Sequence, residues 1–283
     1  MSALDASYQY CRDVARSRAK NFYYSFVLLS RDQKNAMCAM YAFMRYCDDL
    51  SDEPGAATAP IERWRDALTQ ALAGHPDPQS LLWPGFLDAV ARYRIPHEYF
   101  YQMIEGVLSD MEPRRIVSFD ELYGYCYHVA SVVGLTIIHI FGFDSQNALP
   151  LAEKCGIAFQ LTNILRDVRE DAERDRIYLP AEDLQRFGVT PEDLRAGRKT
   201  DEFARLMEFE AARARKYYDE SRPLLGLVAP GSRSSLWALI TIYSRLLDRI
   251  RQSNYDVFER RIRLSALEKS IIVLRAMVGP AGS

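Results

Sequence analysis

Gln160–Pro180 reads QLTNILRDVREDAERDRIYLP. No Gly or Pro interrupts it before Pro180, and Leu161, Ile164, Leu165 and Val168 recur at helical spacing. That pattern predicts a helix with one face in a core. A second face carries Asn163, Asp167 and Asp171 at i, i+4 and i+8, positions that stack above one another on a helix. Carboxylates so placed repel unless a cation lies between them. Arg166 supplies one cation. Mg²⁺ would supply a better one, because an all-oxygen donor set suits a hard ion. Alone, the stripe fits a solvated helix face better than a metal site.

Tyr41-Ala-Phe-Met-Arg45-Tyr-Cys-Asp48-Asp49-Leu-Ser-Asp52 answers it. Asp48 and Asp52 stand at i, i+4, with Arg45 and Tyr41 one and two turns back on nearly the same side. Two aspartate-bearing helices that face each other would surround a cavity with carboxylates and bind several Mg²⁺ ions. The ions would bridge to a diphosphate, and the arginines would take further phosphate oxygens. Diphosphate leaves readily once its charge is neutralised. The chain has 17 Tyr and 13 Phe, which suits an aromatic cavity that shields a carbocation from water.

Composition bounds the alternatives. With 283 residues and 48% hydrophobic content, the chain can build one large core over 1–283. A formal net charge of -2 argues against a nucleic-acid binder driven by bulk charge. Cys11, Cys38, Cys47, Cys126 and Cys155 are scattered and form no C-x-x-C pair, so free thiols in a reducing cytoplasm are expected. The polar start MSALDASYQYCRDVARSRAK is no secretory signal. The apolar run near Val132–Phe143 is broken by His139 and is too short to span a bilayer. A cytoplasmic protein, at most peripheral to a membrane, is the expectation.

Along the chain, helical periodicity predicts segments over 4–20, 31–52, 61–73, 79–92, 97–110, 119–141, 200–226, 233–252 and 264–278, besides the opening stretch. Phe22–Leu29 is expected to be a buried linking segment. Ala36, Met40, Tyr41, Phe43 and Met44 mark the buried side of the 31–52 helix. Ser118-Phe-Asp-Glu121 predicts a capping box, and Thr190-Pro191-Glu-Asp another helix start. No strand alternation, βαβ rhythm or fixed-period repeat appears. The expectation is a single-domain, all-α protein of about ten helices.

The blocks YAFMRYCDDLSDE (41–53), GYCYHVASVVG (124–134), QLTNILRDVREDAERDRIYLP (160–180) and YSRLLDRIRQSNYDVFERR (243–261) resemble the squalene/phytoene synthase family of head-to-head prenyl synthases. The resemblance spans 8 to about 270. It implies the all-α isoprenoid synthase bundle, with two aspartate motifs facing across a central cavity. It also implies metal and diphosphate roles for Asp48, Asp52, Asn163, Asp167 and Asp171, with two or three Mg²⁺ ions. Tyr41, Arg45, Gln160, Arg166, Tyr243 and Arg260 are implied as contacts to diphosphate or prenyl chain. Tyr125 matches a family tyrosine that acts on the cationic intermediate. Where many members carry Ser-x-Ser-Phe, this chain has Ala19-Lys20-Asn21-Phe22; Lys20 and Asn21 can still donate to phosphate.

The chemistry so implied begins with ionisation of one allylic diphosphate. The alkene of a second molecule attacks, and proton loss closes a cyclopropane. Two farnesyl units, the favoured substrate, would give a thirty-carbon product of the presqualene or squalene type. Two geranylgeranyl units would give phytoene. NADPH would enter only for squalene, and no glycine-rich nucleotide motif points to it. A lipophilic product implies transient contact with a membrane surface. A terpene cyclase is disfavoured by the G-Y-C-Y and Y-x-x-L-L-D blocks. A non-catalytic helical assembly factor of the same fold would be expected to lose the aspartates, which are present here.

Overall fold

The computed structural model describes residues 2–18, 22–51, 57–111 and 114–278. The elements run in order α1 (Ala3–Arg18), α2 (Phe22–Phe26), α3 (Arg31–Ser51), α4 (Thr58–Leu72), α5 (Trp83–Tyr93), α6 (Glu98–Ser109) and α7 (Phe119–Cys126). A π-helical turn, Tyr127–Ser131, joins α7 to α8 (Val132–Phe141). Then follow α9 (Ala148–Glu173), α10 (Ala181–Phe187), α11 (Pro191–Arg195), α12 (Asp201–Ser221), α13 (Leu224–Leu227), α14 (Pro230–Gln252) and α15 (Ala266–Val278). Among the described residues only two isolated β-bridges occur, Arg115 with Ile177 and Phe143 with Val228. The all-α expectation holds. The helix number is larger than expected because short polar segments after Pro180, and the ends of longer helices, form separate turns. The expected 200–226 helix breaks at Pro223, which lacks the N–H that would continue it.

Phe22–Leu29 begins as the short helix α2 and ends in a turn, with Phe26 and Ser25 buried. The capping box expected at Ser118 forms by half. Ser118 Oγ accepts from the Glu121 N–H, but the Glu121 carboxylate takes the N–H of Val117 instead of Ser118. The Thr190 box is complete, with Asp193 as its reciprocal partner.

The opening stretch lies in the C-terminal half of α9, the longest helix among the described residues. α9 packs against α12, the π turn, α8, α14 and α7. Leu161, Ile164, Leu165 and Val168 are buried, as the spacing predicted. Two apolar clusters flank α9. One gathers α1, α3 to α6 and α8, and the other gathers α10 to α12, α15 and the C-terminal halves of α9 and α14. Phe159 and Ile240 touch both clusters.

α9 and the π turn approach each other closely. A Cβ on Gly156 would lie 2.6 Å from Ser131 Cα and 2.8 Å from its nitrogen, which is backbone that cannot step aside. Gly134 meets the Ala152 carbonyl in the same way, at 3.1 Å. π turns occur disproportionately at functional sites, and Val129 and Ala130 of this one line the cavity described below. Gly156→Ala is therefore expected to destabilise the fold by about 3 kcal/mol through overpacking. Urea unfolding followed by circular dichroism measures this.

Phe119–Phe141, counted through the π turn, is 23 residues long and apolar enough to cross a membrane. That departs from the expectation drawn from Val132–Phe143 alone. Just over half of its most apolar window (56%) is buried against neighbouring helices, which makes it a core helix here.

A second buried feature predicts pH-dependent stability. Arg213 Nη1 donates to Glu210 at 2.7 and 2.8 Å and to Asp183 at 2.9 Å, and both acids are buried. Burial pushes the Glu210 carboxyl up to about 8, with the Asp183 charge adding to the rise and Arg213 opposing it. The folded state thus holds a proton that the unfolded chain releases near 4.5. Stability from this group is full below that value and is lost as pH rises toward 8. Glu210→Gln is expected to remove a pH-dependent loss on the order of 3 kcal/mol between pH 5 and 8. Denaturant midpoints across that range measure it.

Candidate active site

α3 and α9 wall a cavity whose empty space, counted to its mouth, is about 1110 Å³. Along each helix the lining changes from apolar to polar toward the C-terminus. On α3 it runs from Met37 and Met40 through Tyr41 and Met44 to Arg45 and Asp48. On α9 it runs from Ala152 and Cys155 through Phe159 to Gln160 and Asn163. Phe26, Ile137, Leu224, Leu236 and Leu239 complete the apolar wall. Helical spacing puts these side chains on one face of each helix, so two amphipathic stripes become the two walls. Tyr41, Arg45, Asp48, Gln160, Asn163 and Tyr243, all expected from the sequence, share this one cavity.

Arg45 pairs with Asp49, its i+4 neighbour. Tyr243 is buried and stacks on Phe159, ring centres 4.4 Å apart. Asn163 donates to Gln160 Oε1 at 3.3 Å, which fixes the amide. The other Asn163 atom, Oδ1, is buried and has no hydrogen-bond partner among the described residues. A buried unmatched oxygen costs about 1–3 kcal/mol, and it attracts a cation or a donor.

One turn further along α9, Asp167 leaves the cavity wall and sits among arginines. Arg166 grips it with two nitrogens, Nε to Oδ1 at 2.7 Å and Nη2 to Oδ2. Arg261 adds Nε at 3.0 Å to the same carboxylate and reaches Glu170 at 3.1 Å. The resemblance implied Arg260 as a contact to diphosphate or prenyl chain. Arg260 lies exposed in an adjoining groove with Arg166, Arg169 and Glu170, and its neighbour Arg261 makes the ion pairs. Burial works against the Arg166 charge, but its hydrogen bond to Asp167 holds its pKa above the usual guanidinium value.

Asp171, the third residue of the stripe, faces a small pocket with Arg176 and Tyr178. Burial first, then the carboxylates of Asp167 and Asp110, push its pKa up to about 7. Tyr125 lies near it, away from the large cavity. Its hydroxyl donates to Asp110 Oδ2 at 3.0 Å, while Tyr178 donates to Asp110 Oδ1 at 2.8 Å. The two rings stack 4.8 Å apart, and Arg114 lies 5.0 Å from the Tyr125 ring centre. Burial raises the Tyr125 pKa well above that of free phenol, so the hydroxyl keeps its proton. The resemblance implied that Tyr125 acts on the cationic intermediate; the fold places it in an Asp110–Tyr178 network bordering Asp171.

Asp52, Lys20 and Asn21 lie outside the described residues. Among the described residues, no three Asp, Glu, His or Cys side chains converge as a ready metal cluster. The donors that are present are nonetheless hard oxygens. Asp48 and the unmatched Asn163 Oδ1 line one cavity, and the five cysteines are all buried. These oxygen donors suit a hard ion such as Mg²⁺.

The squalene/phytoene synthase family model matches residues 15–268. The chain belongs to that family. Phytoene synthase 1, chloroplastic, of Arabidopsis thaliana is 36% identical over 95% of this chain, which spans 65% of that protein's length. The 15-cis-phytoene synthase of Synechococcus elongatus is 35% identical over 98% of this chain and 96% of its own. Among solved structures, a dehydrosqualene synthase superposes with a TM-score of 0.90 at 28% identity, covering 97% of this chain and 96% of that one. Squalene synthase HpnC from Alicyclobacillus acidocaldarius superposes with a TM-score of 0.83, also at 28% identity, over 90% and 99%. The isoprenoid synthase fold expected from the sequence is therefore the fold of this member of the squalene/phytoene synthase family.

Several residues of the site were not singled out from sequence. Asp110 carried one usable signal: an acid at the C-cap of α6 opposes the helix dipole, so something else must hold it there. Arg261 was hidden by its neighbour in FERRIRL. Phe159 and Gly156 look like ordinary core positions, and only the helix crossing gives them a role at the cavity.

Proposed function

We propose that this chain condenses two prenyl diphosphates head to head in the α3–α9 cavity, and that its substrate is geranylgeranyl diphosphate, giving phytoene. The observation that carries the reaction is the cavity itself. One continuous wall runs from apolar side chains to Arg45, Asp48, Gln160 and Asn163, as an amphiphile with an apolar tail and an anionic head requires. The substrate length rests on the relatives. Proteins named phytoene synthases are 34–36% identical to this chain, whereas the dehydrosqualene and squalene synthase structures are 28% identical. That favours geranylgeranyl over the farnesyl substrate expected from the motifs.

Asp48, Asn163, Asp167 and Asp171, with Asp52, would hold Mg²⁺. When bound, the metal neutralises the diphosphate and makes it a leaving group. Arg45 and Arg166 would take phosphate oxygens, and the apolar wall would exclude water from the cation that ionisation leaves. Tyr243 and Phe159 present stacked aromatic faces to that cation. The alkene of the second molecule attacks the cation, and loss of one proton closes a cyclopropane. Departure of the second diphosphate, rearrangement and loss of another proton then give phytoene, with no reductant. Tyr125, held protonated by burial, would help hold the Asp110 carboxylate that borders Asp171 and would not act as a base.

The test offers purified protein equal concentrations of geranylgeranyl and farnesyl diphosphate with Mg²⁺, and weighs the hydrocarbons extracted. A forty-carbon product in at least about tenfold excess is expected, the discrimination that roughly 1.4 kcal/mol of chain binding gives. A predominance of thirty-carbon product would reverse the substrate assignment and leave the reaction type standing.

A further inference from the structure

We infer that α15, with the turn after α2, forms a docking face for an anionic lipid bilayer. Large exposed apolar side chains are concentrated there. Leu267 is 70% exposed, Leu274 60%, Met277 56% and Val278 91%, with Ile271 beside them and Val27 at the end of α2. At about 100° per residue, Leu267, Ile271, Leu274 and Val278 fall within an arc of about 60° on the outer side of the helix. Ile272, Val273 and Ala276 occupy the opposite side and anchor α15 to the core. The helix is thus apolar on both faces, and only one face is covered.

Charge selects the occupant. Between Arg260 and Val278 the chain has four arginines, one lysine and a single acid, Glu268, although the whole protein carries a formal net charge of -2. Glu268 is itself engaged by Arg249 and by the Ser265 N–H and hydroxyl. Arg263 and Arg275 make no ion pair with any described residue. An apolar stripe edged by uncompensated cations matches the interfacial region of a membrane with anionic headgroups, where apolar burial and phosphate attraction add. A second copy of this chain would bring the same cations against each other, so self-association through this face is disfavoured.

The face also lies over the cavity. α2 packs between α14 and α15, with Lys269 5.6 Å from the Tyr24 ring centre. Phe26 of α2 lines the cavity, while the next residue, Val27, is exposed. One short segment therefore separates the cavity from the surface that would meet lipid. Docking there would bring a water-insoluble chain within one helix's width of the bilayer. This function for the face rests on the proposed reaction, but the docking itself does not.

The test uses full-length protein and vesicles of phosphatidylcholine with or without phosphatidylglycerol, in a sedimentation assay. The wild type is expected to partition onto vesicles containing phosphatidylglycerol at least about tenfold more strongly than onto phosphatidylcholine alone. A Leu267→Asp/Leu274→Asp double variant, checked for unchanged helicity and melting, is expected to lose at least about tenfold of that partitioning. Its turnover of detergent-dispersed prenyl diphosphate should be unchanged, which separates failure of docking from failure of the reaction. Because the native cysteines are all buried, a fluorophore on Leu274→Cys reports contact directly. Its emission should shift to the blue with anionic vesicles, and a fluorophore on Leu81→Cys should not respond. Equal binding by the double variant, or no shift at position 274, overturns the proposal. So does a wild-type dimer that the double variant converts to monomer without either form binding vesicles.

Discussion

Asp167→Asn is expected to lower turnover on prenyl diphosphate at least about a thousandfold, with the helical fold intact. The substitution keeps the side chain's shape and one oxygen and removes the charge. Asp167 lies one turn past the cavity wall on α9, between Asn163 and Asp171, and is held by Arg166 and Arg261. A neutral amide there would hold neither the cations that flank it nor a divalent ion bound to the stripe. Asp48→Asn, on the opposite wall, should fall by a similar factor for the same reason. Far-UV dichroism and a melting curve distinguish lost chemistry from lost structure. Near-wild-type turnover by a folded Asp167→Asn protein would remove the α9 stripe from the mechanism.

Replacing Arg166 should have the next largest effect. The guanidinium is mostly buried, with 12% of the side chain exposed, and it meets Asp167 through two parallel nitrogens. Arg166→Leu is expected to reduce kcat/KM by about a hundredfold or more and to cost on the order of 2 kcal/mol of stability. The stability loss is moderated because Arg261 still neutralises Asp167. Arg166→Lys should recover the stability better than the activity. A lysine supplies a point charge but not the planar fork that fits carboxylate and phosphate oxygens together. Kinetics and denaturant midpoints measured on both variants check the separation. A lysine variant with full activity would reduce Arg166 to a charge-balancing role.

The α9 stripe was legible because its two determinants are local. Helical spacing placed Leu161, Ile164 and Leu165 in the core, and the same spacing placed Asn163, Asp167 and Asp171 on one face. The α3 block was legible for the same reason, and its polar end meets the polar end of the α9 stripe in one cavity. The rest depends on long-range geometry that no window of sequence contains. That Asp171 and Asp167 leave the cavity wall follows from the helix continuing past it. That Tyr125 bonds to Asp110 follows from the end of α6 lying near α7, and that Arg261 pairs with Asp167 follows from how the chain returns to α9 after α14. The π turn opposite Gly156 was likewise invisible, since a single inserted residue per turn leaves no periodicity to find.

The most direct measurement of the central claim counts diphosphate against product. Purified protein is incubated with geranylgeranyl diphosphate alone, with and without Mg²⁺ and with no NADPH. Released diphosphate is quantified, and the extract is weighed by mass spectrometry. Two diphosphates per forty-carbon hydrocarbon, with none released when Mg²⁺ is withheld, is the predicted result. One diphosphate per twenty-carbon alcohol or cyclic product, or no release under any condition, would contradict it.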